Sequence, residues 1–139
     1  MVSCQPEKLN PINIIMQGNY INWFEIPVTD MDRASKFYNS VFGIEVQPMD
    51  HGPFKMGIFA HSQNSGVAGA LVSGEGYEPS DKGPLLYLSG GEDLSGPLAK
   101  VEAAGGSVVM PKFQISPENG YMAMFMDTEG NKLAMHSMN

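Results

Sequence analysis

Residues 20–28, YINWFEIPV, alternate bulky and polar side chains and are rich in aromatic and β-branched types, the pattern of a half-buried strand. The period then changes. Met31, Ala34, Phe37, Tyr38, Val41 and Phe42 recur at spacings of three and four, which predicts a helix over 30–42 with one apolar stripe. Thr29 or Asp30 can cap its first turn, Asp30 and Asp32 suit the positive end of its dipole, and Gly43 stops it. Three strands are expected next, at 44–48, 54–61 and 67–73, with turn chemistry at His51-Gly52-Pro53 and over 62–66. Residues 74–84, GEGYEPSDKGP, combine glycine, proline and charge and read as a linker.

The same order of elements then returns. A strand is expected at 85–89, a helix over 93–104 with Leu94, Leu98, Val101 and Ala104 on one face, a stop at Gly105-Gly106, and strands at 107–111, 121–127 and 132–137. A shift of about 63 residues lays Asp30 on Asp93 and Gly43 on Gly106, and one of about 64 lays Gly66 on Gly130, so the chain reads as an internal repeat. Residues 1–18 show no sustained period and read as an extension, although Ile12, Ile14 and Ile15 have the character of a short strand.

Composition narrows what this repeat can serve. At 139 residues and 42% hydrophobic content the chain is expected to be one globular domain, and sixteen glycines with ten prolines favour short strands and many turns. A net charge of −7 opposes a phosphate backbone, so no nucleic-acid partner is expected. The lone cysteine, Cys4, closes no intrachain disulfide and suits a reducing, cytoplasmic setting; no apolar run has membrane-spanning length, and the opening MVSCQPEKLN lacks the apolar core of a signal peptide.

A strand followed by VTD, a helix ending FYNSVFG, and later DLSGPLAKVEAAGG followed by DTEGNKLAMHS resemble the vicinal oxygen chelate superfamily, the glyoxalase, bleomycin-resistance and extradiol-dioxygenase group. The resemblance implies an α+β fold: paired βαβββ modules, over 19–75 and 84–139 of one glyoxalase-like domain, forming a curved eight-stranded mixed sheet around a cleft, with the helices on its outer face. It also implies a homodimer. In metal-dependent members, ligands come from the first and last strand of each module, and the matching places here are Trp23, 69–70, 85–87 and Ala134. None is a carboxylate or an imidazole, so the usual divalent metal is not expected and no cofactor is assigned.

Two polar residues remain on the cleft side by strand parity: Glu25, two after Trp23, and His136, two after Ala134. A carboxylate orienting an imidazole is a workable general base; the same two residues also fit ligand hydrogen bonding without chemistry, or a structural pair. His51 and His61 flank the 54–60 hairpin strand and read as loop-rim residues. Met122, Met124 and Met126 alternate with Ala123 and Phe125, giving one thioether face that suits either an apolar pocket beside Trp23 or the helix-covered side; Phe125 as the better helix-packing residue favours the pocket. The site is therefore expected to join Trp23, Glu25, Met124, Met126 and His136 around a small organic ligand, without metal. The alternatives are a metal-dependent lyase or dioxygenase using Glu25 and His136 as displaced ligands, and a purely structural or partner-binding dimer.

Overall fold

The computed structural model describes residues 18–59 and 66–139; Cys4, Ile12, Ile14, Ile15 and His61 lie outside the described residues, as does the expected extension before Gly18. The first half contains β1 (Trp23–Pro27), α1 (Met31–Phe42), β2 (Gln47–His51), β3 (Phe54–Phe59) and β4 (Ala68–Ser73). The second contains β5 (Tyr87–Ser89), α2 (Ser95–Leu98), β6 (Ser107–Ser116), β7 (Gly120–Met126) and β8 (Lys132–Ser137). Each half folds into a four-stranded mixed sheet, ordered β1-β4-β3-β2 and β5-β8-β7-β6, so the repeat read from glycine and aspartate spacing is a repeat of topology. β1 runs parallel to β4 and β5 to β8, while the other pairs are antiparallel.

α1 begins and ends where its sequence dictates. The Asp30 carboxylate accepts the Arg33 N–H at 3.0 Å, and Gly43, at φ 65°, returns its N–H to the Asn39 carbonyl at 2.9 Å. The following strand starts later than expected, at Gln47 rather than 44. Asn39 takes the Ile44 N–H on its carbonyl and the Val46 N–H on its side-chain oxygen, so these residues complete the helix exit and Val46 is buried.

The second helix is a shorter element than its apolar stripe suggests. Only Ser95–Leu98 is α-helical, and tighter i→i+3 bonds such as Lys100 N to Pro97 O and Val101 N to Leu98 O carry the chain onward. Gly96 weakens this turn, while Pro97 stands in the first turn, where its missing N–H leaves no helical bond unmade. The stripe keeps its role, with Leu94 and Val101 fully buried. β6 extends to Ser116, past the expected end at 111, with register shifts on either side of Pro111, which an edge strand tolerates.

The eight strands form two four-stranded sheets rather than one continuous hydrogen-bonded sheet of eight, and both turn their helix-bearing faces to one core. Ile26, Val28 and Leu71 of the first half share it with Ala123, Phe125, Leu133 and Met135 of the second. α1 lies in the seam: Tyr38 meets Phe59 at 5.6 Å between ring centroids, and Phe37 stacks on Phe125 at 6.0 Å. Ala34, Phe37, Tyr38 and Val41 of α1 belong to this core together with residues of both sheets. The other face of each sheet is consequently turned outward.

The hairpin D-T-E-G-N between β7 and β8 fastens the halves. Buried Asp127 accepts the Tyr38 hydroxyl at 2.7 Å, the backbone N–H groups of Glu129 and Asn131, and the Asn131 side-chain amide. That amide also donates to the Pro27 carbonyl at 2.8 Å, and its oxygen accepts the Ser80 N–H at 3.0 Å. Glu129, its side chain sealed from solvent, accepts the Thr29 and Asp30 N–H groups at 2.8 Å and the Arg33 guanidinium at 2.7 Å, so a carboxylate sits at the N-terminus of α1. Burial pushes the Glu129 carboxyl upward, but Arg33 and the backbone donors outweigh it and hold it at about 2. Burial first, then Asp127, pushes the Tyr38 phenol well above its ordinary range.

Candidate functional site

The outer faces carry the residues singled out by strand parity. On the first sheet the register sets Trp23 beside Ala68 and Glu25 beside Ala70, which in turn pairs with Ile58. On the second it sets Tyr87 beside Ala134, Met124 beside Ala134, and Met122 beside His136. With Ala123 and Phe125 in the core, the face of Met122, Met124 and Met126 points away from the helices, as the packing preference of Phe125 suggests. These faces leave large apolar groups in solvent: Trp23 is 43% exposed, Tyr87 51% and Phe113 41%.

Glu25 is held by two aromatic donors. Its Oε1 accepts the Tyr77 hydroxyl at 2.6 Å and its Oε2 the Trp23 indole N–H at 3.2 Å. Tyr77 arrives from the connection between the halves and packs edge-on against Phe54, with centroids 5.5 Å apart. Its hydrogen bond to Glu25 raises the Tyr77 phenol pKa. Sequence reasoning missed Tyr77, whose one signal was a lone aromatic inside a glycine, proline and charge-rich stretch. His136 is engaged elsewhere: Nε2 lies 2.6 Å from the Asn119 carbonyl oxygen. A carbonyl only accepts, so Nε2 is the donor in this bond.

Within one chain, therefore, the five expected site residues do not form one surface. Trp23 and Glu25 belong to the outer face of the first sheet, and Met124, Met126 and His136 to that of the second. The two sheets share a core through their other faces. Glu25 and His136 accordingly have separate hydrogen-bond partners. His51 stands exposed at the end of β2.

Two cavities are candidates to hold a ligand. One of about 360 Å³ lies along β1 under the connection, with Trp23, Glu25, Glu78, Lys82 and Lys132 in its wall. A larger one of about 910 Å³ lies on the inner side, between the end of α1 and α2, walled by Phe24, Phe42, Phe59, Leu86 and Leu88. Gly91 and Gly96, where an added side-chain carbon would meet nothing within 4 Å, border that space. The smaller cavity is the better candidate for recognition, because fixed polar groups meet an aromatic wall there.

A family model described as the Glyoxalase/Bleomycin resistance protein/Dioxygenase superfamily matches residues 20–135. The chain belongs to this superfamily. It is 29% identical over 127 residues to a glyoxylase-like domain-containing protein of Didymella fabae, covering 88% of this chain and 95% of that one. TnmS3, an antibiotic binding protein from Streptomyces sp. CB03234, has the same fold with a TM-score of 0.67 and 22% identity, over 90% of this chain and all of TnmS3. Glyoxalase I from Zea mays matches with a TM-score of 0.65 and 17% identity over 83% of this chain, which spans only 43% of the maize enzyme. No helix among the described residues is long and apolar enough to cross a membrane.

Metal-dependent superfamily members would place a divalent ion on the outer faces, and the residues here do not fit one. Trp23, Ala70, Tyr87 and Ala134 stand at the matching places and offer no carboxylate or imidazole. Glu25 and His136 each stand two residues along from these places, with Glu25 accepting from Tyr77 and Trp23 and His136 bonded to Asn119, and among the described residues no three His, Cys, Asp or Glu side chains gather as a metal site.

Proposed function

We propose that this superfamily member binds a small organic molecule in an apolar cleft, without a divalent metal, and that two copies of the chain build the cleft together. The observation that carries the reading is the exposure of Trp23, Met49, Tyr87, Met110 and Phe113 on the two outer faces. Exposed apolar surface of this extent marks a binding or association site. A second copy that sets its second-sheet face against the first-sheet face of this one would gather Trp23 and Glu25 with the partner's Met124, Met126 and His136. That arrangement rejoins the five residues that one chain keeps apart, and symmetry supplies two such clefts. The methionines give the wall adaptable packing, and Trp23 gives it a flat surface for stacking. The fold shared with TnmS3, an antibiotic binding protein, supports a binding role. The lone cysteine suits the cytoplasm.

Thermal melting against a panel of small aromatic molecules tests the reading, since a ligand that binds only the folded state raises the midpoint by mass action. Trp23 is the only tryptophan, so its emission reports occupancy of the cleft directly. Protein purified without chelator should contain no stoichiometric zinc, nickel, iron or manganese. One metal per site, held by Glu25 or His136, would instead favour a lyase or dioxygenase with displaced ligands.

A further inference from the structure

Glu25 is an exposed carboxylate whose hydrogen bonds come only from neutral groups, the Tyr77 hydroxyl at 2.6 Å and the Trp23 indole at 3.2 Å. Neither offsets its charge. The ion pairs among the described residues are Arg33 with Glu129, Lys82 with Asp81 and Lys112 with Asp93, and none involves Glu25. A carboxylate has about four lone-pair positions, so about two remain after these bonds. Its orientation is fixed from both sides, because Tyr77 is itself packed edge-on against Phe54. The indole N–H lies in the ring plane, so Glu25 sits at the edge of the partly exposed Trp23 ring, whose π-system attracts a cation.

Resting on the cleft reading above, we propose that Trp23, Glu25 and Tyr77 form a recognition corner for a protonated amine carried by the ligand. The amine donates to the open positions of the carboxylate while an apolar part of the same molecule lies against Trp23. The wall of the 360 Å³ cavity also holds Glu78, Lys82 and Lys132. Lys82 is paired with Asp81, and of the charged groups in this wall Glu25 is the one held by the aromatic donors Trp23 and Tyr77. The net charge of −7 draws cations toward the protein and repels anions at longer range.

Titration of the full chain, followed by Trp23 emission, with 2-phenylethylammonium, 2-phenylethanol and 3-phenylpropanoate separates charge from shape. The ammonium probe should bind about tenfold more tightly than the alcohol, the scale of one charge-assisted hydrogen bond, and the carboxylate probe should bind most weakly. In Glu25→Gln, whose melting curve is expected to match the wild type, the ammonium and alcohol should bind alike. Equal binding of all three probes to the wild type would overturn amine recognition and leave the apolar cleft standing. An ammonium preference that survives Glu25→Gln would also overturn it, placing the charge elsewhere. Absence of any response would remove the cleft reading as well.

Discussion

Two tyrosine–carboxylate pairs of almost the same length sit in opposite surroundings. Tyr38 donates to Asp127 at 2.7 Å in the seam between the halves, and Tyr77 donates to Glu25 at 2.6 Å on an outer face. Asp127 is enclosed, and its remaining capacity is filled by backbone N–H groups and the Asn131 amide. Glu25 is open, with capacity left over. The difference teaches that the chemistry of a pair does not decide its role: burial makes the first a fastener of the fold, and exposure leaves the second available to a ligand.

Asp127→Ala is the change that tests the fastener most severely. It orphans the Tyr38 hydroxyl, two backbone N–H groups and the Asn131 amide, and should cost about 3–5 kcal/mol in chemical denaturation. A loss below about 1 kcal/mol would mean that the hairpin does not join the halves.

The hairpin that carries the fastener was legible in the sequence, its long-range bonds to Tyr38, Thr29 and Arg33 were not, and the outer site was only partly so, for a physical reason. D-T-E-G-N must supply a carboxylate, a glycine at φ 97° and an amide at fixed offsets within one turn, so the motif is local and readable. The parities of Trp23, Glu25, Met124 and His136 were readable on the same ground, because side chains alternate along a strand. Which faces meet is a long-range matter, decided by the packing of Phe37 and Tyr38 against both sheets, and no spacing records it. Tyr77 was hidden for the same reason, since its partners Glu25 and Phe54 are distant in sequence. The shortening of α2 was masked by the apolar stripe that continues through Val101.

Acid titration gives a smaller effect on the same side of the comparison. Glu129 falls from 4.5 to about 2 in the folded chain, so its contribution is complete above about pH 4.5 and is lost as pH drops through about 2. We expect about 1–2 kcal/mol, reduced by solvent around the half-exposed Arg33, and Glu129→Gln should flatten the stability profile across that window. An unchanged profile would detach Glu129 from the stability of α1.

Substitutions on the outer face should move stability least. Trp23→Ala is expected to shift the melting midpoint little while abolishing cleft binding, read by isothermal titration with a molecule that stabilises the wild type. Collapse of the fold would reassign Trp23 to the core. A chelator should leave the midpoint of the wild type where it is, since no residue at the matching places provides donors for a hard divalent ion.

The shared cleft requires that the outer faces be completed by a second copy of the chain. Sedimentation of the wild type across a hundredfold concentration range measures this directly. The predicted result is a dimer that dissociates, if at all, only at the dilute end; a monomer throughout the range would contradict the shared cleft and leave Trp23 and Glu25 on a face without the partner's His136.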